Sequence, residues 1–129
     1  MGGASRQIQF DDVWNLTINP EADEPLLWTK LLPSSEIEND TFLARNSHVA
    51  FAHEGTVYLF GGSKLSEHYS DLYKFKIEEG DSKLYQCKNI TDEAGGDIKV
   101  VPGEWPDKRA SFASAFISGE GFIIQGGAN

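Results

Sequence analysis

The feature that most constrains this chain is its internal repetition, because a repeated unit of some tens of residues decides the fold before any single motif does. Three of the diglycines, Gly2-Gly3, Gly61-Gly62 and Gly126-Gly127, stand at nearly regular spacing. The segments leading into the last two match. One reads Arg45-Asn46-Ser47-His48-Val49-Ala50-Phe51, a Glu54-Gly55 turn, then Val57-Tyr58-Leu59-Phe60-Gly61-Gly62. The other reads Arg109-Ala110-Ser111-Phe112-Ala113-Ser114-Ala115-Phe116, a Gly119-Glu120-Gly121 turn, then Phe122-Ile123-Ile124-Gln125-Gly126-Gly127. After the first two diglycines come Asp12-Val13-Trp14-Asn15-Leu16 and Asp71-Leu72-Tyr73-Lys74-Phe75, at the same offset that separates Gly2 from Gly61. Leu27-Trp28-Thr29-Lys30-Leu31 has a weaker echo in Leu84-Tyr85-Gln86-Cys87-Lys88.

Each unit offers four short apolar or alternating runs, rich in β-branched and aromatic residues and broken by Gly, Pro, Asn and Asp, which predicts short antiparallel strands. Helical periodicity is absent apart from a weak possibility inside 33–43. The expected fold class is all-β, with four strands per repeat.

These residues resemble the kelch-repeat β-propeller family, in which each blade is one four-stranded repeat. The pattern is a diglycine closing an inner strand, an Asp-apolar-aromatic strand after it, a tryptophan farther on, then Arg before a Ser-His pair. Gly61, Gly62, Gly126, Gly127, Asp71, Tyr73, Trp28, Arg45, His48 and Arg109 occupy those places. The departures are a period above the usual 50 or so residues, Tyr85 at the second tryptophan and Phe112 at the second histidine. Extra length falls at 77–84 and 91–105. The resemblance implies an incomplete ring: 1–32 as the end of a first blade, 44–90 as a complete second blade and 108–129 as the start of a third.

About two blades' worth of strands cannot close a ring that needs roughly four to eight. Three expectations follow: a piece of a larger propeller protein, a chain that self-assembles into a closed ring, or an open and sticky short form. Self-assembly is permitted by phase, since the two inner strands missing at the start are the two carried at the end.

The chain has 129 residues, one domain's length. It carries 20 Asp plus Glu against 11 Lys plus Arg, a formal charge of -9. That balance disfavours nucleic acid and anionic lipid, which need a basic surface. A single cysteine, Cys87, leaves no internal disulfide and no thiolate cluster. The apolar runs fall short of the roughly 18–20 residues of a membrane span, and Met1-Gly2-Gly3-Ala4 does not read as a signal peptide. Asn15-Leu16-Thr17, Asn39-Asp40-Thr41 and Asn89-Ile90-Thr91 exceed the chance count of such triplets and leave a secreted parent open beside a cytoplasmic one.

The diglycines read as bent strand ends rather than phosphate loops, since no Lys-Ser/Thr follows Gly62. His48 and His53, five apart across an alternating strand, point to opposite sides and make a poor metal pair. Cys87 reads as a buried thiol. Trp14, Trp28, Tyr73 and Phe75 are expected in the core between blades. Arg45 and Arg109 recur at equivalent places and predict a repeated structural contact. The long loops 33–44, 63–70 and 91–108 emerge on one face, opposite the tight turns, and loops on a rigid scaffold carry function. The expected function is therefore a protein-interaction module whose protein partner meets Lys64, Glu67, His68 and Tyr69, with no cofactor. The alternative is a fragment of a metalloenzyme, since kelch-like propellers include copper-dependent galactose oxidase and iron-dependent specifier proteins.

Overall fold

The computed structural model describes residues 1–34, 44–92, 98–99, 104–118 and 121–129. Among them the chain is all-β, without a helix. The strands are β1 (Val13–Ile18), β2 (Leu26–Pro33), β3 (Val49–His53), β4 (Thr56–Phe60), β5 (Ser63–Lys64), β6 (Glu67–His68), β7 (Leu72–Ile77), β8 (Leu84–Asn89), β9 (Thr91–Asp92), β10 (Ile98–Lys99), β11 (Ala113–Ile117) and β12 (Gly121–Gln125).

Strands β3, β4, β7 and β8 form an antiparallel meander, each paired with the next. The β3–β4 link is a two-residue turn in which Glu54 and Gly55 have φ of 47° and 72°, the left-handed pair that matches strand twist. The β1–β2 hairpin joins the meander through a short parallel contact of β2 with β8, giving a six-stranded sheet in the order β1-β2-β8-β7-β4-β3. That sheet curls until the hairpin lies over the meander. Val13 and Leu31 then meet Leu59, Tyr73, Phe75, Tyr85 and Cys87 in one buried cluster, with Val57 and Met1 packed against it. Each such side chain contributes roughly 1.5–3 kcal/mol on leaving water. The β11–β12 hairpin packs on the opposite face of the meander. There Phe51 stacks on Phe122 at 4.2 Å and on Phe116 at 5.6 Å, and Phe112 meets the edge of Phe60 at 5.8 Å.

The repetition is written into the backbone hydrogen bonds. The Gly2 N–H donates to Asp12 O as Gly61 does to Asp71 O, and Phe10 donates to Gly3 O as Tyr69 does to Gly62 O. Asn19 donates to Pro25 O as Glu78 does to Leu84 O. One constant offset, that from Gly2 to Gly61, relates the members of all these pairs. Likewise Asn46 bridges Ser63 as Ala110 bridges Ala128. Ser47 and Ser111 share a left-handed φ, 54° and 56°.

This register corrects the expected alignment of the tryptophan. Leu31 faces Val13 and the Ile90 N–H donates to Leu72 O, so the same offset runs through the whole hairpin. Trp28 is thereby equivalent to Cys87, and Tyr85 to Leu26. The expected burial of both tryptophans is also corrected. Tyr73 and Phe75 are 4% exposed, but Trp14 and Trp28 are 46% and 63% exposed. They occupy the face of the first hairpin turned away from the meander, where Trp14 meets the ammonium of the hairpin's own Lys30 at 5.9 Å and no other strand packs among the described residues. Residues 63–70, expected as a loop, fold into the tight β5–β6 hairpin with Leu65 at φ 53°. Most of the weak helical possibility at 33–43, the Asn39-Asp40-Thr41 triplet, the Gly119-Glu120 turn residues and much of 91–105 lie outside the described residues.

Candidate partner-binding face

Arg45 organises the loop end of the meander. Its side chain is fully buried, and its two terminal nitrogens hold the Asp71 carboxylate at 2.5 and 3.0 Å. One of them also donates to Gly61 O at 3.1 Å. The guanidinium lies 4.2 Å from the Tyr69 ring centre and 5.1 Å from that of Tyr73. A forked, stacked contact of this kind is what arginine offers and lysine does not. It ties the end of β4 to the start of β7 and fixes the loop between them. Arg109 repeats one part of it, donating to Gly126 O at 3.0 Å.

Close approach requires glycine at Gly62 and Gly127. At Gly62, with φ of 94°, an added Cβ would stand 2.7 Å from Asn46 O and 2.8 Å from the His48 Cβ. Gly127 is crowded in the same way by Ala110 O and the Phe112 Cβ. His48 and Phe112 thus hold equivalent positions. His48 is half-buried with its Nδ1 unpartnered. Burial, then the positive charges of the amino terminus and Arg45, lower its pKa from 6.5 to about 4. His48 precedes β3, so strand alternation does not govern it; His53 ends β3, exposed, with its ring 5.4 Å from Phe116. The two histidines are not brought together, and no cluster of three metal-ligating side chains occurs among the described residues.

Of the four expected contact residues, Tyr69 is committed to the fold. It stacks on Arg45, its hydroxyl bonds Glu67 at 3.3 Å, and burial followed by the Glu67 carboxylate raises its phenol's pKa. Lys64 and Glu67 face each other across β5–β6, and Ser63 faces His68. Trp105 braces the hairpin's far end, its indole N–H donating to Ser70 O at 2.6 Å.

Residues 4–9 form a matching small hairpin. Its Ala4–Gln9 bridge stands one repeat offset before the Ser63–His68 pair, and the Ser5 N–H donates to Ile8 O. Between the two hairpins lies a cleft of about 350 Å³, lined by Arg6, Gln7, Gln9, Asn46, Lys64 and Leu65 among others. Its charged lining residues, Arg6 and Lys64, are both cationic. Glu67, His68 and Tyr69 do not line it. Sequence reading missed Arg6 because the two hairpins share no residue identity; only the constant repeat offset points to it.

Comparison with protein-family models, with curated proteins and with solved structures gave no match.

Proposed function

We propose that this chain is a kelch-type propeller segment acting as a protein-interaction module, and that it takes an acidic peptide segment in the cleft between the 4–9 and 63–68 hairpins. The meander serves as one four-stranded blade, flanked by the outer half of one blade and the inner half of another. The observation that carries the reading is the pair of hairpins. They share cross-strand pairing and equivalent Gly3–Phe10 and Gly62–Tyr69 hydrogen bonds, but differ in side chains and at the turn, where Leu65 is left-handed and Arg6 is not. A fixed scaffold presenting variable loops is how repeat folds build binding surfaces. Two cations lining a cleft in a chain of net charge -9 give that surface a local sign opposite to the whole. The complementary group is a carboxylate, which arginine binds through two parallel hydrogen bonds.

The test is a peptide array screened with the pure chain, followed by titration of the best acidic binder. Arg6→Glu with Lys64→Glu should weaken binding at least tenfold while urea unfolding stays unchanged. Rising salt should weaken the wild-type complex. Unchanged affinity in that variant, or selection of basic peptides, would refute the placement.

A further inference from the structure

Each wall of the cleft between the 4–9 and 63–68 hairpins offers one cation and one large apolar side chain. Arg6 and Ile8 come from the first hairpin, Lys64 and Leu65 from the second, and all four line the cleft. The arrangement is crossed. Arg6 sits in the first turn, and the repeat offset makes Leu65, in the second turn, its counterpart. One rung in, Ile8 accepts on its carbonyl from the Ser5 N–H, in the place where Glu67 faces Lys64. At each level, therefore, one wall presents a cation and the other an apolar residue.

The two apolar side chains add little to the fold. Leu65 is 86% exposed and Ile8 57%, and neither belongs to the buried cluster. Leu65 is also held at a φ of 53°, a left-handed conformation that glycine or asparagine adopts readily and leucine does not. A strained residue this exposed gains no burial to offset its backbone cost, and such residues cluster at ligand clamps. The two cations are equally uncommitted. Neither Arg6 nor Lys64 has an ion-pair partner among the described residues. Glu67, directly across from Lys64, instead accepts from the Tyr69 hydroxyl at 3.3 Å.

The walls stand at a fixed separation. The Gly3 N–H donates to Arg45 O at 2.8 Å, and Asn46 and Ser63 exchange both backbone hydrogen bonds at 2.9 Å, so residues 45 and 46 join the two hairpins. Asn46 and Gln9 add side-chain amides to the lining, which suit the N–H and C=O groups of a peptide backbone. At about 350 Å³ the cleft lies near the small end of ligand sites, roughly 300–1,000 Å³. It suits a few residues of extended chain.

We propose that the acidic segment bound here carries a large apolar residue next to its carboxylate, with the acid held by Arg6 and Lys64 and the apolar side chain enclosed by Ile8 and Leu65. Successive side chains of an extended segment point to opposite sides, which matches a cleft whose cation and apolar residue stand on opposite walls at each level. Exposed charge pairs contribute little and are screened by salt. Removing an apolar side chain from water adds the larger share of affinity and makes the site selective. This pairing rests on the acidic-peptide reading and narrows it to a partner segment of mixed acidic and apolar character.

Calorimetric titration of the pure chain with four short blocked peptides tests it. Each holds glutamate or glutamine followed by phenylalanine or serine, in the same glycine-serine frame. The glutamate-phenylalanine peptide should bind about tenfold tighter than the glutamate-serine one. Leu65→Asn relieves the left-handed strain, so this variant should unfold at the same urea concentration or higher. Combined with Ile8→Thr, it should bind those two peptides alike. Equal wild-type affinity for the two, or a preference for phenylalanine that survives both substitutions, overturns the proposal and leaves the acidic reading standing. Equal affinity for glutamate and glutamine peptides, or binding of none of the four, refutes the acidic reading and this pairing with it.

Discussion

Replacing Asp71 by Asn removes the charge opposite Arg45 while keeping the side chain's shape, and the structure sets how much that should matter. Arg45 is 0% exposed and loses the carboxylate that its two terminal nitrogens hold. Breaking a buried pair from one side costs about 3–5 kcal/mol, because the remaining charge is left uncompensated. Asp71 is 19% exposed, so water offsets part of this loss and the expected cost is about 3 kcal/mol. Urea unfolding followed by tryptophan fluorescence measures it. Arg45→Met should also destabilise, since it strands the Gly61 carbonyl, but the double variant should recover about 2 kcal/mol of the summed losses. The Asp71→Asn effect should persist in high salt, because a buried pair is weakly screened. Arg109→Met, at a partly exposed site, should cost under about 1 kcal/mol. An Asp71→Asn cost below about 1 kcal/mol, or simple additivity in the double variant, would refute the view that this pair anchors the loop end.

Acid should weaken the fold through His48. Its folded pKa of about 4 lies below the ordinary 6.5, so as pH falls from about 6.5 toward 4 the unfolded chain binds a proton that the folded chain refuses. Stability should drop across that window and level off below it, by less than the full shift implies because solvent screens a half-buried ring. His48→Phe, the residue at the equivalent Phe112, should flatten that part of the curve; an unchanged difference between pH 7 and 4.5 would contradict it. Gly62→Ala should cost more than about 2 kcal/mol from its two contacts under 3 Å, whereas Gly80→Ala, with φ of 85° and open space, should cost about 1 kcal/mol, both read by urea unfolding.

The diglycines, the paired Arg and the Asp-led strands made the all-β repeat legible, because each marks an event that recurs: a left-handed bend, a guanidinium donating to a diglycine carbonyl, the start of a strand. Side-chain burial was less legible. Trp14 looks like core by type and position, but burial needs a neighbour, and the described chain offers the first hairpin none on that face. The Trp28–Cys87 equivalence was hidden because a bulky aromatic and a small thiol share no sequence signal. Only the hydrogen-bond register aligns them. Arg6 was invisible for a related reason, since its hairpin repeats in hydrogen-bond pairing and not in side chains. The stacking of Tyr69 on Arg45 was equally hidden, since it is a tertiary contact that local sequence does not carry.

The central claim is a stack of repeated strands in which the β3-β4-β7-β8 meander is covered on both faces, and residue-resolved amide exchange tests it most directly. The amides of Leu59, Tyr73 and Phe75, inside the meander, should exchange slowly. Those of Trp14 and Ile124, in strands that end their sheets among the described residues, should exchange much faster. Exchange at Leu59 and Tyr73 as fast as at Trp14 and Ile124 would contradict the account.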